Sequence, residues 1–394
     1  MTNDEGNTNA RMTKERTEAP SRHSDSSIPS SSDPARRGHA SSPPGLITTA
    51  SQLAELLPDI EKVDRVAIDT EADSLHCYRE KLCLLQISVP GRDSLVDPLA
   101  DVDLESLREL LERKEIVLQG ADFDLRMLRR GLNFVAHKIF DTVIAARLLG
   151  IREFSLAALV KRHFDVELPK GSQKANWAQR PLPARMAEYA INDTRYLLPL
   201  AEKLEAELER HQRLNWFRQS CERAIEQASV KRVRDEDEAW RIRGSGALRG
   251  PAAAVLRALW QWREKEAEAV DRPSFHILQN HELLQATEKF VAGTVPDYRH
   301  FSERRRRAFR QAAESALQMP EKEWPVSRRR FGTRPSQETV RRTEELRQRR
   351  DRAAKELKLE PAFVAARGAL EAIAADPVHA EKLLVPWQRE LLGV

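Results

Sequence analysis

The spacing of apolar residues between 46 and 150 alternates between two patterns. Three short runs rich in Val, Ile and Leu predict strands: RVAIDTE, LCLLQISV and EIVLQG. Three other segments have apolar residues at helical spacing: ASQLAELLPDIEKV, DLESLRELLERK and ADFDLRMLRRG. Gly131 is expected to end the third of these helices. Strands and helices mixed in this order predict a three-layer α/β domain.

After residue 141 the pattern becomes mostly helical. One long helix is predicted through ARMAEYAINDTRYLLPLAEKLEAELERH. The polar stretch 229–246 ends in two close glycines, which is typical of a boundary between domains. Several helices are expected over 247–318. A basic stretch at about 328–342 then leads to three more helices, at about 340–357, 361–375 and 377–393.

Residues 1–45 are rich in Ser, Pro, Asn, Thr and charged residues and contain almost no large apolar side chains. Such a segment cannot bury enough surface to offset the entropy lost on ordering, so we expect a disordered tail. The rest of the chain divides into three predicted domains: 46–228, 240–320 and 335–394.

Composition narrows the class of protein only slightly. The 394 residues include 65 Lys and Arg against 61 Asp and Glu, so the net charge of +4 identifies no partner. The three cysteines show no Cys-x-x-Cys spacing, which argues against a disulfide framework or a zinc site. No apolar run reaches the roughly 18 residues that span a bilayer, and the N-terminus lacks the layout of a secretion signal. We therefore expect a soluble, cytoplasmic protein.

Two acidic residues, Asp69 and Glu71, follow an apolar run that predicts a strand. Residues two apart in a strand point to the same face, and ligand sites form at strand ends of α/β sheets. Carboxylates are the usual ligands of Mg²⁺. Acidic residues are common at strand ends, however, so this pair is a weak indication when taken alone.

Three further residues strengthen the indication. Asp124 lies early in a predicted helix, where Asp122 is the more natural cap, which leaves Asp124 without a structural duty. Tyr189 and Asp193 are four residues apart and share a helix face. The apolar neighbours of Asp193 predict partial burial, and a buried carboxylate needs a partner such as a cation.

Together the four acids could bind two divalent ions about 3.5–4 Å apart, the arrangement that hydrolyses phosphodiesters. Tyr189 would orient the attacking water or help to deprotonate it. Asp73, two residues after Glu71, is expected to be an ordinary surface acid.

These motifs resemble the DEDD superfamily of 3′→5′ exonucleases, and most closely the ribonuclease D family. The resemblance is carried by IDTEADS, GADFDLRML and YAINDTRYLLPL. Tyr189 and Asp193 give the spacing of the Tyr branch, whereas Glu188 stands where the other branch has His. The similarity extends over residues 47–215, including KGSQKANWAQRPL.

The resemblance implies a ribonuclease H-like three-layer fold and hydrolysis with two Mg²⁺ or Mn²⁺ ions. It also implies release of nucleoside 5′-monophosphates from RNA with a free 3′ end, with tRNA precursors as substrates. Lys170 matches a family lysine that we assign to the substrate phosphates. Gln119 stands where members often carry His, and we assign it to the substrate as well. Asn176 replaces an Asp that often precedes Trp177.

The segment from 248 to 287 resembles an HRDC domain, a helical nucleic-acid-binding module. The matching positions are Leu259, Trp262, Arg263, Arg272, Pro273, Leu278 and Leu283. Because residues two apart cannot share a helix face, we expect at most one of Trp260 and Trp262 in the core. Two arginine clusters are consistent with phosphate contacts: Arg304–Arg307 with Arg310, and Arg328–Arg330 with Arg334. Residues 335–394 are expected to form a second HRDC-like domain.

Two alternatives stay open beside the exoribonuclease. A DNA exonuclease would use the same acids, and the HRDC region suits either substrate. The segment KGSQKANWAQRPL favours the ribonuclease D branch. A non-catalytic RNA-binding scaffold is expected to lose a metal-binding acid, whereas this sequence retains all four.

Overall fold

A computed structural model of the chain describes residues 45–169, 171–230, 235, 237–326 and 335–394. Most of the predicted tail, Lys170 and the second arginine cluster therefore lie outside the described residues. The strands of the described part are β1 (Leu46–Ile47), β2 (Arg65–Ala72), β3 (Leu82–Val89), β4 (Arg92–Val96), β5 (Glu115–Leu118) and β6 (Lys138–Asp141). They form one mixed sheet in the order β1-β4-β3-β2-β5-β6.

Helices make up the rest of the regular structure. The first group is α1 (Ala50–Glu61), α2 (Glu105–Glu112), α3 (Asp122–Leu132), α4 (Thr142–Leu148), α5 (Leu156–Phe164), α6 (Ala184–Arg195), α7 (Leu197–Arg210) and α8 (Leu214–Ser229). The second is α9 (Gly250–Ala269), α10 (Ser274–Ile277), α11 (Asn280–Val291) and α12 (Glu303–Leu317). The third is α13 (Gln337–Leu357), α14 (Pro361–Val364), α15 (Arg367–Ala375), α16 (His379–Leu383) and α17 (Pro386–Leu392). Within the described ranges, no helix has both the length and the apolar character needed to cross a lipid bilayer.

The direction of the strands brings several strand ends to one edge of the sheet. β2, β5 and β6 run parallel to one another, so their carboxyl ends meet at the same edge. β3 is antiparallel to both β2 and β4. Pro90 and Gly91 form the two-residue turn between β3 and β4, and the φ of Gly91 is 81°, which favours glycine there.

Both faces of the sheet are covered by helices. Leu84 of β3 belongs to a buried cluster with Met186 of α6 on one face. Its neighbour Leu85 points to the other face, where it joins the main core with Leu56 of α1 and Leu107 of α2. This arrangement confirms the predicted α/β class with three layers.

Two predicted helix boundaries were wrong. Gly131 does not end α3, which continues to Leu132 and is closed by Asn133 in the left-handed conformation with φ 54°. Instead, Gly131 allows the helix to approach β3, because a Cβ at this position would lie 2.9 Å from the Cβ of Leu82. The long helix predicted over 184–211 is divided at Tyr196 into α6 and α7.

The expectation for the paired tryptophans of α9 was also wrong. Trp260 and Trp262 are both buried, at 9% and 7% exposure. Trp262 packs against Phe309 at 4.8 Å and Phe301 at 5.5 Å between ring centroids. Since α9 packs against α10, α11 and α12, more than one of its faces is covered. The boundaries predicted for the three domains stay predictions.

Candidate active site

The first two acids are positioned by β2. Asp69 and Glu71 are two residues apart in this strand, so their side chains point to the same face of the sheet. The cross-strand partner of Asp69 is Gln86, which is fully buried and donates from Nε2 to Asp69 Oδ2 at 3.4 Å. The pairing register shifts directly after Glu71, so regular pairing is interrupted where the acids lie.

Asp193 and Tyr189 are carried by α6, which is anchored to the sheet beside them. Thr194 follows Asp193 and is buried. Its hydroxyl accepts a hydrogen bond from Ser88 of β3 at 2.8 Å. Tyr189 is partly buried, and its ring lies 6.1 Å from that of the buried Trp177. These contacts fix the orientation of α6, so that the face with Tyr189 and Asp193 is directed toward the end of β2.

The segment before α6 is held to the sheet by Arg180. Its guanidinium forms two hydrogen bonds of 2.6 Å with the carboxylate of Asp97, which lies directly after β4. The same group donates to the backbone carbonyl of Cys83 at 2.7 Å and to that of Trp177 at 2.8 Å. A planar guanidinium with several fixed donors suits this role because each bond restricts its orientation.

Asp124 belongs to the first turn of α3 and is 5% exposed. The hydroxyl of Thr70, between the two acids of β2, donates to Asp124 Oδ1 at 2.5 Å. Asp122 is not the cap that was expected, because α3 begins at this residue and has no side-chain cap. It is exposed and forms an ion pair with Arg126.

The acids converge on one position at the edge of the sheet. Carboxylate oxygens of Asp69, Glu71 and Asp193 lie within 4.8 Å of one another. The charge of Asp124 is close enough to raise the pKa of each of them. Carboxylate oxygens this close are suitable ligands for hard divalent cations such as Mg²⁺ and Mn²⁺.

Burial and mutual repulsion disturb the titration of these acids. Burial raises the pKa of Glu71 to about 9, with further contributions from Asp193 and Asp124. Burial likewise raises the pKa of Asp193 to about 7 and that of Asp124 to about 6. The pKa of Asp69 is raised well above its ordinary value, by burial first and then by the other three acids. Bound cations would relieve this repulsion, so the acid set fits divalent metals.

Tyr189 keeps its proton in this environment. Burial raises the pKa of its hydroxyl, and the charges of Asp193 and Glu71 raise it further. A neutral phenol can donate a hydrogen bond to a water or to a phosphate oxygen. The Tyr189 hydroxyl is therefore able to donate a hydrogen bond near neutral pH.

The structure describes only one of the two residues that were predicted to contact the substrate. Lys170 lies outside the described residues. Its neighbours Pro169 and Gly171 line a cavity of about 140 Å³ together with Tyr189 and Arg185. The Gln119 amide is engaged within the protein, since Nε2 donates to the Phe154 carbonyl at 2.8 Å and Oε1 accepts from the hydroxyl of Thr142. Both substrate roles stay predictions.

The surface position expected for Asp73 was wrong. Asp73 is 1% exposed, and its carboxylate accepts hydrogen bonds from the backbone amide of Lys81 at 3.0 Å and from the Lys81 ammonium. Its backbone carbonyl accepts from the amides of His76 and Cys77. Asp73 therefore organises the loop that leaves the active-site strand, residues 73–81.

The tip of this loop contacts α9 and the residues after it. The Tyr78 hydroxyl donates to Glu264 Oε2 at 3.3 Å, and the Tyr78 amide donates to Asp271 Oδ1 at 3.1 Å. Glu264 also accepts from the hydroxyl of Ser274 at 2.9 Å. We call the contacts of Tyr78 with Glu264 and Asp271 the Tyr78 clasp.

Sequence patterns did not single out three residues near the acids. Gln86 and Thr70 orient Asp69 and Asp124 through the hydrogen bonds described above. Phe123 directly precedes Asp124 and is 46% exposed. The strand alternation of LCLLQISV places Gln86 on one face with Leu84, which is the only sequence signal for its role.

Comparison with protein families agrees with this architecture. Residues 44–209 match the family described as a 3′-5′ exonuclease, and residues 252–290 match the HRDC domain. The chain therefore contains a region similar to the 3′-5′ exonuclease family, followed by a region similar to the HRDC domain.

The resemblance to ribonuclease D is confirmed by curated relatives of that name. The protein from Sphingobium indicum is 32% identical over 243 residues, which cover 60% of this chain and 62% of the relative. The one from Pseudomonas paraeruginosa is 28% identical over 344 residues, or 83% of this chain and 90% of the relative. The chain spans 62–65% of the length of the first curated relatives that it matches.

Solved structures support the same fold. A protein from Bifidobacterium adolescentis matches with a TM-score of 0.75 and 22% identity, covering 89% of this chain and 95% of that one. RNase D from Escherichia coli matches with a TM-score of 0.66 and 22% identity, covering 88% and 96%.

The first of the two arginine clusters lies on α12, after the HRDC match. The side chains of Arg304 and Arg307 are 81% and 78% exposed. The side chain of Arg305 is only 24% exposed, and its Nε lies 2.9 Å from Glu266 Oε2 in an ion pair. The cluster therefore presents only part of its charge to solvent.

Proposed function

We propose that this chain is a divalent-metal-dependent 3′→5′ exoribonuclease that releases nucleoside 5′-monophosphates. The observation that carries the proposal is the convergence of Asp69, Glu71 and Asp193 within 4.8 Å at the end of a central strand. Asp124 adds a fourth acid beside them, and Tyr189 lies one helical turn from Asp193. Structural sites rarely collect four carboxylates with raised pKa values unless cations balance them.

We assign the four acids to the binding of two divalent ions, Mg²⁺ or Mn²⁺. Such ions, when bound, activate water and stabilise the leaving oxygen of a phosphodiester. The protein contributes by holding the carboxylates in place. Gln86 and Thr70 restrict Asp69 and Asp124, and Ser88 anchors the helix that carries Asp193.

Tyr189 is assigned to positioning the attacking water or the scissile phosphate. Its raised pKa keeps the hydroxyl protonated, so it donates a hydrogen bond rather than removing a proton at neutral pH. Lys170 is proposed to contact the substrate phosphates. In support, the residues on either side of Lys170 line the same small cavity as Tyr189.

The proposed substrate is RNA with a free 3′ end, and tRNA precursors in particular. This assignment is supported by relatives named ribonuclease D and by the E. coli structure, whose protein is described as an exoribonuclease involved in structured RNA processing. The HRDC domain is proposed to bind nucleic acid during this reaction.

The test is incubation of the purified protein with a 5′-labelled, 3′-extended tRNA and with single-stranded DNA, in Mg²⁺ or Mn²⁺. We expect stepwise shortening of the RNA and its complete loss in EDTA. Asp193→Asn and Asp69→Asn should each abolish shortening because each removes a proposed metal ligand. Product analysis should yield nucleoside 5′-monophosphates.

A matched control is Asp122→Asn, which removes an exposed acid two residues from Asp124. This variant should shorten RNA as the wild type does. Persistent activity of Asp193→Asn would refute the metal assignment. Faster digestion of DNA than of RNA would instead make the protein a DNA exonuclease.

A further inference from the structure

A second cavity, of about 820 Å³, lies between the exonuclease domain and the C-terminal helices. One wall is the end of α4 and the segment after it, residues 147–154, and the other is formed by residues 354–361. The walls approach closely at Gly150, where a Cβ would lie 2.6 Å from the Lys358 carbonyl oxygen. Glycine with φ 75° makes this approach possible.

The lining of this cavity is strongly cationic. It contains Arg147, Arg152, Lys355 and Lys358 against the single acid Glu360. Arg147 forms an ion pair with Glu360, whereas Arg152, Lys355 and Lys358 form no ion pair with any described residue. Cations that converge from two walls and outnumber the acids between them raise the local concentration of anions. We call this site the cationic pocket.

Arg147 adds a second, independent indication. Its guanidinium lies 4.3 Å from the ring centroid of Phe363 and 5.7 Å from that of Phe154, and it forms an ion pair with Glu360 at 2.9 Å. Its Nε is buried and has no hydrogen-bond partner among the described residues. A buried donor without a partner costs stability, so an acceptor supplied by a ligand would compensate it.

The cationic pocket is connected to the edge of the sheet that carries the acids. Phe154 lines the pocket, and its carbonyl accepts the hydrogen bond from Gln119 at 2.8 Å. Gln119 directly follows β5, whose carboxyl end lies at the same edge as that of β2, with Asp69 and Glu71. The pocket and the acids therefore adjoin the same edge of the sheet, and a nucleic-acid strand whose 3′ end is at the acids would reach the pocket by following that edge.

We propose that the cationic pocket binds phosphodiester groups of the RNA strand upstream of the nucleotide being removed. The inference rests on the proposed function and adds to it a subsite built jointly by the exonuclease domain and the C-terminal helices. Two to four cations suit a short run of backbone phosphates.

The test compares the wild type with the double variant Arg152→Ala/Lys355→Ala, which removes one exposed cation from each wall. Binding of a single-stranded RNA of roughly 16 nucleotides is measured in EDTA by fluorescence anisotropy at several salt concentrations. We expect affinity to fall about tenfold, and the slope of log Kd against log salt to fall by about 1.4. Hydrolysis of a dinucleotide in Mn²⁺ should be unchanged, because it is too short to reach the pocket.

The matched control is Arg129→Ala/Arg352→Ala, which removes two exposed arginines outside the pocket, one from each part of the chain. The control should bind the longer RNA as the wild type does. Equal weakening in both variants would assign the effect to overall charge and overturn the subsite. So would a pocket variant that loses affinity for nucleoside 5′-monophosphate but not for the longer RNA. A wild type that shortens no RNA would refute the proposed function itself.

Discussion

The acids at the end of β2 show how single residues are tuned by their neighbours. Each of the four carboxyls has a pKa above its ordinary value, because burial and the other acids disfavour its charge. The folded protein therefore holds protons that the unfolded chain would release near neutral pH. Stability is linked to this proton balance, and so is the proposed binding of divalent cations.

The first prediction concerns pH and stability in EDTA. The folded state binds more protons than the unfolded state between about pH 4 and the raised pKa values, which reach about 9 for Glu71. The free energy of unfolding should therefore fall as pH rises through this range. Glu71→Gln should flatten the dependence of melting temperature on pH, measured by differential scanning fluorimetry.

Added Mn²⁺ should raise the melting temperature more at about pH 8.5 than at about pH 5.5, because protons compete for the carboxylates. Asp122→Asn, which changes an exposed acid, is the control and should keep the wild-type slope. An equal Mn²⁺ shift at both pH values would contradict the linkage.

The second prediction concerns Tyr189→Phe, which removes one hydroxyl and keeps the ring beside Trp177. We expect kcat for RNA shortening to fall at least about 100-fold, a usual loss for a group that positions the attacking water. Mn²⁺ binding, followed by the rise in melting temperature, should be retained. Tyr196→Phe makes the same chemical change at the junction of α6 and α7 and should leave kcat unaltered. Comparable kcat values for the two variants would remove Tyr189 from the site.

The candidate acids could be predicted from sequence because their order and spacing form motifs. Residues that only orient the acids could not, since their role depends on cross-strand register. Gln86 is adjacent to Asp69 only because β2 and β3 pair antiparallel in one particular register. Asp73 was misjudged for a related reason, because its partner Lys81 lies beyond a loop.

At the scale of elements, α3 depends on a close approach to the sheet. The third prediction is that Gly131→Ala destabilises the protein by about 1–3 kcal/mol, since the new Cβ would lie 2.9 Å from the Leu82 Cβ. Alanine is the better helix former by about 1 kcal/mol, but this gain is smaller than the expected strain. The measurement is chemical denaturation.

Gly368→Ala provides the control, because no atom lies within 4 Å of a Cβ at that helical position. This variant should be as stable as the wild type or more stable. An equally stable Gly131→Ala would show that α3 can move away from β3. In that case Asp124, which lies on α3, would also move, and Gly131→Ala should weaken Mn²⁺ binding instead of lowering stability.

Long elements with regular apolar spacing were predictable, whereas short or interrupted ones were not. β4 has five residues and β1 has two, too few for a clear alternation. The division at Tyr196 leaves the helical spacing of apolar residues almost unchanged on both sides. The apolar pattern alone therefore predicted one continuous helix. Burial of both tryptophans of α9 depends on helices that are distant in sequence.

At the scale of the whole molecule, the C-terminal helices complete the core of the exonuclease domain. Trp387 is 1% exposed and stacks on Trp216 of α8 with 5.1 Å between ring centroids. Its Nε1 donates to the hydroxyl of Ser220 at 3.0 Å. Val364 and Val385 belong to the same buried cluster as the sheet.

The fourth prediction is therefore that Trp387→Ala destabilises the protein by about 3–5 kcal/mol, the usual cost of removing a buried aromatic side chain. Limited proteolysis should then cleave within 335–394 earlier than in the wild type. Leu383→Ala is the control, because that side chain is 39% exposed and should tolerate the change. Proteolysis at the wild-type rate in Trp387→Ala would mean that the C-terminal helices are held by other contacts.

The Tyr78 clasp joins loop 73–81, which follows Glu71, to Glu264 and Asp271, two residues within the region that matches the HRDC domain. Such a connection allows the proposed metal site and this helical region to influence each other's binding equilibria. A ligand of the helical region that shifts the clasp and the acids together would change the affinity of the acids for cations, and the cations would change the affinity for that ligand by the same factor. Under such coupling, divalent cations would act as effectors of nucleic-acid binding in addition to their role in the proposed hydrolysis.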